Sequence, residues 1–407
     1  MGKRPELFVG VDIGTAKIAA VVGEPSDTGL TVVGVGAAPC EGLRKGVVAN
    51  IEASVQAIAS AIKEAELSAG CEIHSIIASV NGGHIKAFNS HGVVAIKNRE
   101  VTHNDVERVL DAARAVALPL DRDILHVLPQ EFIVDGQDGI REPVGMSGVR
   151  LEVRVHIVST AIAAAQNVIK CCQRTGLHVV DLVLAPLAAA EAILTPEEKE
   201  LGAAVIDIGA GTTGLVGFEK QAVRHTAVLP VGGQHVSSDI AAGLRTPFRE
   251  AERLKQRLGC ALASSVGPDE TVEVPTVGGR APRQLSRLAL AEIIEPRMAE
   301  IFAAAKQQFA HAGLGGVLAS GILLTGGSVL VDGAVPLAER VFEVPVRIGT
   351  SIGCEALDAA MPGPSYAAAV GLLQYGVRPH HQAGLVDEAH LFGKVRRRMV
   401  GWLKAFM

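Results

Sequence analysis

The sequence predicts an α/β protein of two similar lobes, with a small α+β insert and a C-terminal amphipathic helix. Three observations carry this. In Ala204–Glu219 (AVIDIGAGTTGLVGFE) an apolar run meets an acid, a glycine-rich turn and a second apolar run. The same pattern stands about half a chain earlier, in Val9–Glu24 (VGVDIGTAKIAAVVGE). A repeat at that distance suggests two related domains facing each other rather than a solenoid of short period. Between the copies, apolar residues alternate strictly with polar ones over 149–157, the mark of a strand in a separate small module.

Each copy reads as a hairpin of strand, glycine turn and strand. In the second, Ala203–Ile206 leads to Asp207, Gly209, Gly211, Thr212 and Thr213, then to Leu215–Phe218. In the first, Asp12-Ile13-Gly14 repeats Asp207-Ile208-Gly209, with Thr15 in the turn. A turn of this kind points backbone N–H groups inward, and glycine lets the backbone come close to a phosphate. The threonine hydroxyls add donors. An acid at the strand end can hold a hydrated Mg²⁺ that bridges phosphates. Either stretch alone is nearly as well read as an ordinary hairpin. Two such turns at the base of one cleft would clamp a nucleoside triphosphate and its metal from both sides. A third element, Leu323-Leu324-Thr325-Gly326-Gly327-Ser328, follows the apolar run Val317–Leu324. It reads as a strand ending in a tight turn, where α/β folds place nucleotides.

In chain order, residues 30–37 are a further strand and 41–46 a polar, basic connection. Ile51, Val55, Ile58 and Ile62 share one face of a helix over 51–67, with Asn50 as its N-cap. A short strand, 76–80, is broken by Asn81-Gly82-Gly83. Thr102-His103-Asn104-Asp105 resembles a capping box before a helix. The alternation over 149–157 predicts a wet face carrying Arg150, Glu152, Arg154 and His156. Helices are expected over 160–172, 236–244 and 248–258, and loops with short strands over 260–286. A long helix over 288–309 contains Pro296, which predicts a kink or break. A helix over 334–341, a strand over 346–348 and a last helix from 362 to about 375 complete the body. Glu252 and Lys255 share one face of their helix, a spacing that also suits a plain surface ion pair.

These stretches resemble the actin-like ATPase superfamily and, within it, the FtsA family of bacterial cell-division proteins. The resemblance spans nearly the whole chain and is most specific at Glu41–Ile51, His126–Leu151, Arg224–Leu229 and Glu273–Arg283. It implies two phosphate turns, a late adenosine loop, and ATP with Mg²⁺ as cofactors. The implied contacts are Asp12, Gly14, Thr15, Ala16 and Lys17; Asp207, Gly209, Gly211, Thr212 and Thr213; Gly232 and Gly233 closing over the phosphates; Glu252 and Lys255 at the ribose and adenine; and Gly326, Gly327 and Ser328. Asp12 and Asp207 are the implied metal ligands. The implied division is a first core of 1–83 with 161–203 and 364–378, an insert of 84–160, a second core of 204–230 with 308–363, and a peripheral subdomain of 231–307. A linker of 379–389 and a tail of 390–407 follow. The implied role is a membrane-tethered scaffold that polymerises and anchors the FtsZ ring, on the cytoplasmic face of the inner membrane at the division site. Its partners would be the FtsZ C-terminal tail, further copies of itself, anionic lipids and other division proteins. A small-molecule kinase of the same superfamily is the alternative. It would need a catalytic carboxylate between the turns and no basic tail. A chaperone of the heat-shock type has no room after residue 378 for a peptide-binding domain. No catalytic residue is assigned. Gly214 and Ala185 stand where many relatives carry acids near the attacking water, and Ala210 replaces a loop glycine, so any hydrolysis is expected to be slow.

Composition sets the limits. At 407 residues the chain is too long for one core. A net charge of −5 gives no general attraction to nucleic acid. No apolar run reaches the ~20 residues of a membrane span, and the start, MGKRPELF, is too short an apolar run for a signal peptide. The six cysteines show no CxxC spacing, which argues for a reducing compartment and against zinc.

The tail, HLFGKVRRRMVGWLKAFM, is of another kind. At ~100° per residue, Leu391, Phe392, Val395, Met399, Trp402, Leu403 and Phe406 fall within an arc of about 120°. Lys394, Arg396, Arg397, Arg398 and Lys404 fall outside it, with no acid present, and Val400 is an apolar residue on the wrong side. A core helix could share that asymmetry. Uncompensated cations after a polar linker fit an anionic membrane surface better.

Overall fold

Residues 7–26, 29–276, 281–355 and 363–377 are described by the computed structural model. The linker over 379–389 and the tail over 390–407 lie outside them.

Two copies of one topology make up the body. In the first, β1 (Phe8–Ile13), β2 (Lys17–Ser26) and β3 (Gly29–Pro39) form an antiparallel meander. A hairpin of β4 (Leu43–Arg44) and β5 (Val47–Val48) leads to α1 (Ile51–Ala69), capped by Asn50. Then β6 (Ser75–Val80) pairs parallel to β1. The insert leaves the chain here. It comprises β7 (Lys86–Ala95), α2 (His103–Arg114), β8 (Arg122–Val134), β9 (Gln137–Ile140) and β10 (Arg150–Ala161). The first copy resumes with α3 (Ile162–Arg174), β11 (His178–Leu184) and α4 (Ala185–Ile193), and α5 (Pro196–Leu201) crosses to the second. There β12 (Ala203–Ile208), β13 (Thr213–Glu219) and β14 (Ala222–Leu229) repeat the meander. A peripheral unit follows: α6 (Gly233–Leu244), α7 (Phe248–Leu258), β15 (Thr271–Val274), β16 (Arg283–Ser286) and α8 (Arg287–His311). Last come β17 (Ile322–Thr325), α9 (Ala334–Phe342), β18 (Val346–Ile348), β19 (Cys354–Glu355) and α10 (Ala367–Val377). The sheets run β11-β6-β1-β2-β3-β19 and β18-β17-β12-β13-β14, so the central strand of each is the first strand of an acid-bearing hairpin.

The reason for that position is burial. Val11, Ile18, Val205, Ile206, Ile208 and Leu215 are fully buried or nearly so, as strands covered on both faces must be. The lobes meet where α10 crosses α4. A Cβ at Gly371 would lie 1.7 Å from the carbonyl oxygen of Ala188, so only glycine allows this approach.

Three expectations need correction. The face of β10 expected to be wet is only partly so: Arg150 and Arg154 are exposed, but Glu152 and His156 are buried. The insert sheet orders as β7-β10-β8-β9, so β10 is central, and its far face packs toward the second lobe. There the His156 Nδ1–H donates to Asn89 Oδ1 (2.7 Å), and Nε2 accepts from the Thr226 hydroxyl of β14 (2.9 Å). Burial pushes the imidazole down to about 4, which keeps it neutral. Helix α8 does not break at Pro296. Pro296 and Glu292, whose carbonyl loses its donor, are both exposed to water, while Ile294, Met298 and Phe302 hold the other face in the core. The final helix begins at Ala367, after a single 3₁₀ turn over Gly363–Tyr366. The expected capping box is present: Thr102 Oγ accepts from Asp105 N–H, and Asp105 Oδ2 accepts from Thr102 N–H.

Gly371→Val should destabilise the fold by the cost of overpacking, ~1–3 kcal/mol, read as a lower thermal unfolding midpoint. A variant that melts like the wild type would show that α4 and α10 do not meet there.

Candidate functional site

The two hairpin turns close identically. Gly14 N–H donates to Lys17 O (3.1 Å), and Gly209 N–H donates to Thr212 O (2.9 Å). Each acid stands two residues before its glycine. Asp12 is braced by β6: Ser79 Oγ donates to its Oδ1 (2.7 Å) and accepts from Ile13 N–H (2.8 Å). Asp207 lies in register with Thr325 of β17. The next residue, Gly326, has φ of 87°, and a Cβ there would come within 2.5 Å of Asp207 Oδ1. Gly326 N–H and Thr325 Oγ both donate to Pro364 O, and Ser328 Oγ donates to Gly209 O (3.0 Å). The third loop is thereby tied to the second turn.

Between the lobes lies a cavity of about 550 Å³. Asp12 and residues 14–17, Asp207, Gly209, Thr212, Glu252, Lys255 and residues 326–328 all line it. Gly211, Thr213, Gly232 and Gly233 stand behind the lining. Gly211 packs on Thr15, so the two turns touch. Thr213 is buried and its hydroxyl donates to Val231 O (2.9 Å). The first amides of α6 are already taken: Gly233 N–H donates to Gly209 O and Gln234 N–H to Ala210 O. That helix start braces the turn from behind.

Sequence reading missed Gly46, Asn81, Gln256, Leu330 and Ser365, which also line the cavity. Gln256 had a signal, since it stands one turn after Glu252 and donates to it (2.8 Å). Asn81 Nδ2 donates to Thr212 Oγ (3.2 Å), a contact across the lobes that no local pattern announces. Leu330 is 57 % exposed, an apolar wall facing open space beside the third loop.

The electrostatics concentrate on the acids. Burial raises both carboxyls above the usual range. Asp207 is pushed up to about 7, by burial first and then by the charge of Asp12. For Asp12, burial outweighs the Ser79 hydrogen bond and Lys17. Burial also lowers Lys17 to about 8; its ammonium sits 3.5 Å from the Tyr366 ring centroid and donates to Ser365 Oγ (3.1 Å). On α7, Lys255 Nζ donates to Glu252 Oε2, Gly233 O and Ser237 Oγ, each at 2.9 Å. Lys255 is buried and Glu252 half-buried, so they form a hydrogen-bonded pair rather than a loose surface one.

Two half-buried carboxylates lining one cavity fit a divalent cation, which reverses the cost of ionising them. Among the described residues no cluster of three or more His, Cys, Asp or Glu forms a metal cage. Water and phosphate oxygens would complete the shell, as Mg²⁺ prefers.

Comparison with known proteins agrees with this geometry. The family model described as "SHS2 domain inserted in FTSA" matches residues 82–159, and that described as "Cell division protein FtsA" matches residues 204–371. The cell division protein FtsA of Pseudomonas aeruginosa is 50% identical over 374 residues, covering 92% of this chain and 90% of its own. That of Escherichia coli (strain K12) is 42% identical over 407 residues, covering 98% and 96%. That of Bacillus subtilis is 38% identical over 375 residues, covering 92% and 84%. Among solved structures, the PilM-PilN type IV pilus biogenesis complex matches with a TM-score of 0.67 at 17% identity, over 91% of this chain and 99% of that one. MreB5 of Spiroplasma citri bound to ADP matches with a TM-score of 0.56 at 13% identity, over 93% and 98%. These neighbours share the actin-like fold. Duplicated hairpins on that fold, the SHS2 insert and identity of this order over most of its length place the chain in the FtsA family of cell-division proteins.

Proposed function

We propose that the chain is an ATP-binding, actin-like scaffold that polymerises and tethers the FtsZ ring to the cytoplasmic face of the inner membrane at the division site. The observation that carries the reading is the cavity in which two copies of the Asp-Ile-Gly turn meet the Gly-Gly-Ser loop. Backbone amides of the turns would hold the phosphates, and Asp12 and Asp207 would hold Mg²⁺ through its water shell. Glu252, Lys255 and Gln256 would face the ribose and base, with Leu330 against the base. Two solved structures of the same fold, MreB5 bound to ADP and to AMPPNP, support nucleotide as the ligand.

The site supports binding better than turnover. Gly214 pairs with Asp207, and a Cβ there would fall 2.7 Å from Pro186 of α4, so an acid has no room. Ala185 lines the cavity without a polar group. Little remains to orient an attacking water, which phosphoryl transfer requires. A kinase reading would need a catalytic base in the same place.

Outside the cleft, α7 and β15 border a groove of about 330 Å³ that includes Arg253, Leu254, Arg257, Glu273 and Pro275. It lies in the subdomain expected to take the FtsZ tail. No helix of the described residues is long and apolar enough to cross a membrane. The sequence of the amphipathic segment 390–407, with its cations and apolar arc, supports it as the point of attachment. Each cation near anionic lipid is worth ~1 kcal/mol, and a polymer presents many tails at once.

Calorimetry should find one Mg-ATP site, lost in Gly326→Val. Because Mg²⁺ needs ionised carboxylates and Asp207 titrates near pH 7, affinity should fall as pH drops below that value, by up to about tenfold per unit. Asp207→Asn should bind weakly and without that slope. PH-independent binding by the wild type would remove Asp207 from the metal.

ATP turnover should stay far below the ~10 s⁻¹ of an ordinary enzyme. A rate in that range, or phosphorylation of a small molecule, would favour the kinase.

Anionic vesicles should shift Trp402 emission to the blue, less so as salt rises, and should co-sediment the FtsZ tail peptide only when the full-length chain is present. Trp402 is the sole tryptophan, so it reports on the tail alone. Vesicle binding that survives removal of 390–407 would place the anchor elsewhere.

A further inference from the structure

The β4–β5 hairpin has no role in the reading above, yet its turn borders the cavity. Arg44 pairs with Val47, which leaves Lys45 and Gly46 as a two-residue turn. Their φ values are 49° and 76°. Such a turn favours Asn-Gly or Gly-Gly, because both residues are left-handed. Lys at the first position is therefore held in a conformation that its side chain disfavours.

The turn is wedged between the two acid-bearing loops. Gly46 N–H donates to Thr15 Oγ (3.0 Å) of the first, and Gly46 lines the cavity. Lys45 Cα lies 3.0 Å from the point where a Cβ on Gly211 of the second would stand. At the base of the same segment, Glu41 pairs with Arg249 at the start of α7 (3.3 Å). The segment thus spans the cleft from the first lobe to the second and to the peripheral unit. Lys45 is exposed, and among the described residues no carboxylate pairs with it. Lys45 is not itself part of the cavity lining, but its flexible stem starts at a Cα beside the second turn and is long enough to carry the ammonium to the phosphate end.

We infer that Lys45 binds the terminal phosphate of a nucleoside triphosphate, so that the β4–β5 turn distinguishes tri- from diphosphate. The base end of the cavity, at Glu252 and Leu330, lies on α7 and beside the third loop. The phosphate end is at the turns that Lys45 adjoins. A terminal phosphate carries charge that a diphosphate lacks at that place, and a charge-assisted hydrogen bond to an ammonium is a strong contact. The inference rests on the nucleotide reading of the cleft.

The test is calorimetric titration of the full-length chain with Mg-ATP, Mg-ADP and AMP. Lys45→Asn keeps the left-handed turn and removes the charge; Lys45→Arg keeps the charge. Lys45→Asn should weaken Mg-ATP about tenfold, change Mg-ADP and AMP little, and melt no lower than the wild type. Lys45→Arg should restore much of the Mg-ATP affinity. Equal Mg-ATP affinity in Lys45→Asn and wild type would overturn the assignment while leaving the cleft reading intact. So would an equal loss for all three nucleotides, which would make the turn a shape element only. No nucleotide binding by the wild type would overturn both.

Discussion

Two half-buried carboxylates that line the same cavity are the constraint on which the rest of this structure depends. Asp12 and Asp207 each end the central strand of a sheet, where desolvation raises their affinity for protons and the charge of Asp12 further disfavours ionising Asp207. Hydrophobic packing alone has no use for such a pair, since an asparagine or serine would fold at less cost. The arrangement becomes favourable when a cation sits between the acids and phosphates complete its shell. Around the pair the chain spends its glycines: Gly14 and Gly209 close the turns, and Gly326 leaves room for the Asp207 oxygen.

The duplicated topology explains how the pair is brought together. Each lobe delivers its acid from the same strand of the same five-strand order, and the lobes share a single tight helix crossing at Gly371 and Ala188. The insert spans the lobes as well. It leaves the chain after β6 and lies against β14 of the second lobe through His156 and Thr226, and Gln130 Nε2 donates to Val223 O (2.9 Å). At its outer end Arg141 pairs with Glu200. Any change in the angle between the lobes must be accommodated along that seam. The cavity and the insert surface are therefore mechanically joined.

Much of this was legible from residue patterns. The paired Asp-Ile-Gly turns were visible because a strand period, an acid and a glycine coincide twice, and local chemistry specifies a hairpin strongly. Asn50 and the Thr102–Asp105 box marked helix starts for the same reason: capping is a contact within four residues. What stayed hidden depends on partners distant in sequence. Glu152 and His156 read as wet because alternation describes one strand, whereas their burial comes from flanking strands and from Thr226. Gly232 and Gly233 read as residues closing over the phosphates; the Gly233 amide instead donates to Gly209 O of the second turn, and the Gly232 amide to His235 Nδ1. The 41–46 segment read as a connection because nothing local shows that its tip reaches both loops. Pro296 predicted a kink or a break; the helix continues through it because Pro296 and Glu292 lie on the wet side, which only the packing reveals.

The most direct measurement is thermal unfolding of the wild type and Asp207→Asn at about pH 8, in EDTA and with Mg-ATP. Asp207 has its folded value raised to about 7, above its unfolded value. Its ionisation in the empty protein therefore costs stability as pH rises from about 4 to about 7. The account predicts that Asp207→Asn melts higher than the wild type in EDTA and loses the upward shift that Mg-ATP gives the wild type. A variant that melts lower in EDTA, or that keeps the full Mg-ATP shift, would contradict a carboxylate held for a cation.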